Sequence, residues 1–201
     1  MSVTKKGFSS KEIQKQLGLK RYEPVWAMVH KLRKAMGARD EKYTLEGMIE
    51  FDEGYFTVES SEIEQEKGVR GRGAAGKQNV AVMAESVPLE NFETGEKSKS
   101  CRYFKAKVLE THLSLEINET IKESIDNQSI VFTDKSTSYV DISDFVELHI
   151  TEKSDKETTN ETLKWVHITI SNAKRNLLGN YHKIKRKYLQ LYLNEFIYKL
   201  N

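Results

Sequence analysis

The spacing of apolar and polar positions divides the chain into a helical start, a strand-rich middle and a helical end. Ser9 or Ser10 is placed to cap a first helix, whose apolar positions Ile13 and Leu17 lie four apart on one face. Gly18 breaks it. A second helix is predicted from about Glu23 to Ala35, with Pro24 in its first turn and Gly37 as its terminator. Val25, Trp26, Val29 and Leu32 fall near helical spacing, and His30, Lys31, Arg33 and Lys34 lie towards its end. Two short helices joined by a tight glycine-containing turn have the sequence form of a helix-turn-helix, whose second helix would enter a DNA major groove. On this reading Lys31, Arg33 and Lys34 are DNA-contact candidates. A plain helical hairpin packed into a bundle has the same pattern.

From residue 46 short apolar runs replace the helical period. Met48 to Asp52 reads as a strand ending on an acidic pair, Asp52-Glu53. Residues 57–78 read as a polar loop carrying Gly68-Val69-Arg70-Gly71-Arg72-Gly73. Strands are predicted at Asn79–Val87 and Cys101–Leu109, followed by a helix from Leu113 through Ile125. Ser129 to Asp134 is again an apolar strand ending on an aspartate. A short helical stretch around Ser136–Phe145, a fifth strand at Val146–Thr151, a loop at 152–161 and two helical runs broken at Gly179-Asn180 complete the chain. The order β-β-β-α-β-α-β-α predicts an α/β fold, a mixed five-stranded sheet flanked by helices. It is the order of the ribonuclease H-like fold. The expected organisation is a small all-α helix-turn-helix segment over 1–45 and a ribonuclease H-like domain over 46–201.

Charge sharpens this picture. The net charge of +2 over 201 residues is made of +5 in residues 1–50, −10 in 51–163 and +7 in 164–201. Two basic ends therefore flank an acidic centre. Basic clusters suit phosphate neutralisation, because each Lys or Arg on a phosphate releases condensed counterions. An acidic centre repels DNA unless a divalent cation sits there. A solvated helical face is the ordinary alternative for any charge run. The lone Cys101 excludes an intramolecular disulfide framework and a CxxC zinc module in this sequence. No apolar run approaches the roughly 20 residues of a membrane helix, and the first ten residues lack a signal-peptide core. A soluble, cytoplasmic protein with no membrane partner is expected.

Asp52 and Asp134 each close an apolar strand, where side chains open into a crevice beyond the strand ends. Paired carboxylates raise each other's pKa unless a cation neutralises them. Oxygen ligands of this kind suit Mg²⁺ or Mn²⁺, and two such ions can serve phosphodiester chemistry. A turn or helix-cap role is the ordinary reading of either aspartate alone. Glu53, next in a strand, points to the opposite face and is not a ligand candidate. Arg70 and Arg72 are candidates to grip DNA. Their loop lacks the Lys-Ser/Thr pair of a Walker-type nucleotide site.

The blocks KEIQKQLGLKRYEPVWAMVHKLRKAMG (11–37), IEFDEGYF (49–56), GRG (71–73), VFTDKSTSY (131–139), HITISNAKRNLLGNYH (167–182) and KYLQLYLNEFIYKLN (187–201) stand in one order along the chain. In these the chain resembles bacterial insertion-sequence transposases of the DDE class, the ISXO-type group. The resemblance implies a ribonuclease H-like catalytic domain with Asp52 and Asp134 as the first two members of a metal-binding triad. Such transposases commonly carry a glutamate seven residues before a lysine. Counting back from Lys174 lands on His167. The subgroup resembled uses an asparagine instead, which points to Asn172. Asn172 is the first choice and His167 the second, because imidazole is a softer ligand than Mg²⁺ prefers.

By the same resemblance Lys174 and Arg175 approach the DNA backbone, as point charge and fork respectively. Lys185, Arg186 and Lys187 in the basic tail are read as further DNA contacts, and Tyr188, Leu189, Tyr192, Leu193 and Phe196 as core packing. His149 has either a site or a packing role. The implied function is cleavage of element ends and joining of their 3′-hydroxyls to target DNA, by an oligomer that holds two ends on double-stranded DNA. Relatives usually begin with a cysteine-rich zinc ribbon and continue past the final Asn, so a truncated copy is an expectation of the comparison. An inactive DNA-binding remnant and a ribonuclease H-like nuclease are the alternatives.

Overall fold

The computed structural model describes residues 7, 9–59, 76–90, 95, 97–111, 113–136, 139, 141–152, 162–181 and 184–201. Helix α1 (Ser10–Gln16) starts where the Ser9 side chain accepts the Glu12 amide at 3.1 Å. It stops at Gly18, whose φ of +64° costs a glycine nothing. There the Gly18 and Leu19 amides bond back to the Lys15 and Gln14 carbonyls, which is a Schellman closure. Leu17, expected on the buried face with Ile13, is 58 % exposed because it already belongs to this turn.

Helix α2 runs Tyr22–Asp40, past the glycine expected to end it. Gly37 sits inside the helix for a steric reason: a Cβ there would fall 2.1 Å from Nδ2 of Asn194. The buried line of α2 is Val25, Val29, Arg33, Gly37 and Asp40, and Leu32 is exposed. Arg33, expected to meet DNA, is instead wholly buried. Its Nε donates to Glu195 at 2.8 Å, its Nη2 to the Tyr181 hydroxyl at 2.8 Å, and its guanidinium lies 4.0 Å from the Tyr192 ring centroid. A side chain enclosed in this way is withdrawn from phosphate contact. Lys31 and Lys34 remain exposed on the opposite face.

The sheet follows as β1 (Met48–Thr57), β2 (Lys77–Glu90), β3 (Lys97–Leu109), β4 (Ile130–Asp134) and β5 (Leu148–Glu152), with helix α3 (Ser114–Ser124) between β3 and β4. The spatial order is β3-β2-β1-β4-β5. The first three strands are antiparallel, whereas β1–β4 and β4–β5 are parallel. This mixed sheet with flanking helices is the ribonuclease H-like arrangement expected from the element order. Helices α4 (Lys164–Asn180) and α5 (Leu189–Leu200) close the chain. Of the helical stretch expected over 136–145, the described residues hold a 3-10 turn at Ile142–Asp144.

Each sheet face has its own core. Ile49, Phe51, Ala81, Met83 and Val131 pack on Ile117 and Ile121 of α3. On the other face Phe56, Val80, Val82 and Ala84 pack on Val166, Ile170, Ala173 and Leu177 of α4 and Leu189 and Leu193 of α5. Burying each such aliphatic side chain contributes about 1.5–3 kcal/mol. Alternation along β1 thus assigns odd positions to α3 and even positions to α4.

The outer edge of β3 is covered by side-chain amides. Gln190 accepts from the Val108 amide at 2.7 Å and donates to the Ala106 carbonyl at 2.9 Å. Asn201 does the same for both backbone groups of Phe104, at 2.8 and 3.0 Å. An open edge is a template for pairing with another chain, and these two amides occupy it.

Candidate catalytic site

The even-numbered residues of β1 meet α4 in sequence. The Glu50 carboxylate accepts the backbone amides of Trp165 and Val166 at 2.7 and 3.2 Å. Asp52 Oδ2 lies 3.7 Å from Nδ1 of His167. A Cβ on Gly54 would stand 3.0 Å from Ile170 Cγ2, so only glycine lets the helix lie this close without displacing Ile170. The Phe56 ring is 5.7 Å from Nζ of Lys174. Strand and helix therefore advance together, and the acidic residue of the strand faces the first turns of the helix.

Asp52 is not at the end of its strand as expected, because β1 continues to Thr57 in register with β2. The opening lies on its other side. Parallel pairing of β1 with β4 stops at Glu50 and Phe132, while β4 runs on to Asp134 paired only with β5. The two strands part just before their aspartates, and the crevice arises there.

Burial pushes the Asp52 carboxyl up to about 7. The negative charges of Asp134 and Glu53 add to the rise, against the Glu53 amide bonded to Oδ1 at 2.7 Å and the positive charge of Lys174. Asp134 accepts the Ser136 amide at 3.1 Å. His167 is held below the ordinary imidazole range by burial, with Asp134 acting the other way. The ring is thus neutral near pH 7 and the 3.7 Å contact is not an ion pair. Its Nε2 is buried with no hydrogen-bond partner among the described residues.

Asn172 lies elsewhere on α4. Its Oδ1 accepts from Nη2 of Arg175 at 2.7 Å on the exposed side of the helix. Five residues along a helix turn a side chain roughly 140° away from its starting face, whereas seven bring it nearly back. His167 and Lys174 consequently share the face above Asp52. Glu53 points to the α3 side and is bonded by Asn79. His149 bonds Oγ1 of Thr133 at 2.8 Å, and that hydroxyl donates to the Asp134 carbonyl at 3.0 Å. His149 thereby braces the strand end that bears Asp134.

Lys185, Arg186 and Lys187 are exposed ahead of α5, with Arg186 donating to Gln78 at 2.7 Å. Arg70 and Arg72 lie outside the described residues. Sequence reasoning missed Glu50 and Gly54. Their signal was present, since both share the parity of Asp52 on one strand.

The model of the ISXO2-like transposase domain matches residues 44–201. The chain belongs to the ISXO2-like transposase family. No curated protein matches it.

Transposases of the DDE class generally use divalent metals. Among the described residues, no three His, Cys, Asp or Glu side chains are already gathered at ligating distance. The groups present nevertheless fit a cation in this ISXO2-like domain. Burial and the neighbouring Asp134 carboxylate disfavour ionised Asp52, Nδ1 of a neutral His167 lies 3.7 Å from it, and carboxylate oxygens are the donors that Mg²⁺ and Mn²⁺ prefer. No helix among the described residues is long and apolar enough to cross a membrane.

Proposed function

We propose that this domain is a DNA transposase acting on the ends of an insertion sequence, with Asp52, Asp134 and His167 as its catalytic set. The reading is carried by one observation: Asp52 and His167 face each other across the β1–α4 contact, within the electrostatic reach of Asp134. The two aspartates are the residues that would hold Mg²⁺ or Mn²⁺, with His167 as the nitrogen donor in preference to Asn172. A pair of such ions, when bound, lowers the pKa of an attacking hydroxyl and stabilises the leaving oxygen of a phosphodiester.

The chain's own side chains do the rest. Asp52 and Asp134 supply negative charge to the site, and the Lys174 ammonium sits on the same helical face as His167 to draw in a phosphate. Neutral His167 offers a lone pair. Water would be the first nucleophile, freeing a 3′-hydroxyl at the element end. That hydroxyl would then attack target DNA by transesterification, with no covalent protein intermediate.

For DNA binding, the hairpin of α1 and α2 in residues 1–45 offers Lys31 and Lys34 on its open face. The exposed run Lys185–Lys187 supplies a second basic surface. Holding two element ends at once calls for a homo-oligomer, working on DNA in the cytoplasm.

Strand transfer on labelled DNA carrying the element's own ends, with Mg²⁺ or Mn²⁺, tests this reading. Joined products that vanish in Asp52→Ala and Asp134→Ala support it. Cleavage without joining replaces it with a nuclease, and DNA binding with neither identifies an inactive remnant.

A further inference from the structure

Among the described residues, Glu50 is the most deeply buried acid that the chemistry above does not use. It is wholly buried, two residues before Asp52 on the same face of β1. Helix α4 has Leu163 at its N-cap position, which offers no side-chain cap. The first amides of a helix have no partner within it, and a buried helix start without one is costly. Glu50 Oε2 supplies that partner to two of them, at Trp165 and Val166. Its other oxygen lies 3.8 Å from Nζ of Lys99, which donates to the Thr162 carbonyl at 3.2 Å just ahead of the helix. The amides held by Glu50 immediately precede His167.

We propose that Glu50 is a positioning residue: by capping α4 from β1 it fixes the rotation and height of the helix, and so holds His167 against Asp52. The proposal rests on the catalytic reading of Asp52 and His167. Along β1, helix α4 is capped by Glu50 and comes closest at Gly54, and His167 lies between these two points. The apolar face of α4 keeps the helix on the sheet, so losing the cap acts on its first turn, the end that bears His167. Residues that orient metal-binding groups from behind typically change affinity or turnover by about 10–100-fold when replaced.

The test uses the full chain with Glu50→Gln and Glu50→Leu, beside Asp52→Asn. Gln keeps an acceptor for the two amides. Leu fills the space without a buried charge, a replacement that folded proteins often tolerate. Glu50→Leu is expected to lose about 10–100-fold in kcat with little change in KM for DNA, and to bind Mn²⁺ more weakly, while Glu50→Gln stays near wild type. Amide hydrogen exchange gives a readout free of activity: Trp165 and Val166 are protected in wild type and Glu50→Gln and exposed in Glu50→Leu. Wild-type kcat and Mn²⁺ affinity in Glu50→Leu, or unprotected Trp165 and Val166 amides in the wild-type chain, overturns the proposal. Full activity in Asp52→Asn instead brings down the catalytic reading, which separates the two failures.

Discussion

Asp52 Oδ2 and His167 Nδ1 stand 3.7 Å apart, one in the middle of β1 and the other in the second turn of α4. The contact exists because three even positions of β1 do different work. Glu50 caps the helix, Asp52 faces it, and Gly54 has no Cβ to push it away. Parting of β1 from β4 beyond Glu50 then leaves the pair at a crevice with Asp134 on its other side.

The third residue of the site can be assigned by comparing two neighbours on α4. His167→Ala is expected to abolish metal-dependent cleavage to the level of Asp52→Ala. Asn172→Ala, which loses an exposed bond to Arg175, should stay within a few-fold of wild type. Equal initial rates for His167→Ala and wild type, measured on a pre-nicked end, would return the role to Asn172.

Stability should depend on pH through Asp52. Its carboxyl rises from 3.8 to about 7 on folding without metal, so between those values the folded chain binds more protons than the unfolded one. Stability is then lost as pH rises from about 4 through 7. The Tm of metal-free protein should fall across this window, and Asp52→Asn should flatten the fall. Added Mg²⁺ should raise Tm more at pH 8 than at pH 5, because the ionised carboxylate is the form that binds it. A wild-type slope identical to that of Asp52→Asn would contradict the assignment.

Gly37 should reject alanine although alanine favours helices. The added Cβ would overlap Asn194, whose Oδ1 accepts from Gln190 at 2.8 Å. Overpacking of this kind costs about 1–3 kcal/mol. Gly37→Ala is therefore expected to lower the denaturation midpoint, and Asn194→Ala in the same chain should recover most of the loss. A simple sum of the two single effects would show that the overlap is relieved elsewhere.

The Arg33–Glu195 pair ties α2 to α5. Glu195 is also bonded by Lys199 at 2.7 Å, and all three side chains are enclosed. Glu195→Ala should destabilise by about 3–5 kcal/mol, since it strands a buried guanidinium. Adding Arg33→Met should reduce that loss but not abolish it, because the guanidinium is no longer stranded while enclosed Lys199 still lacks its carboxylate. Urea unfolding of the single and double variants measures the coupling.

Much of this was legible in the residues. The order of strands and helices along the chain and the mixed sheet follow from alternation and apolar runs, which act locally. The extent of β1 was not. Asp52-Glu53-Gly54 reads as the end of a strand, but pairing with Val80 to Val82 of β2 keeps it extended. Arg33 was misplaced for a related reason. A guanidinium near other lysines looks solvated until Glu195, Tyr181 and Tyr192 are brought round it.

The main helices and strands, the parity of β1 and the family are written in short-range pattern or in contiguous blocks of residues. Which residue of α4 meets Asp52 depends on how the helix packs on the sheet. A helix offers every azimuth in turn, and spacing alone leaves His167 and Asn172 equally reachable. The rotation of α4 is set by the Glu50 cap and by the contact of Ile170 with Gly54, which join residues far apart in the chain. No local pattern contains that information, since it resides in how two finished elements fit.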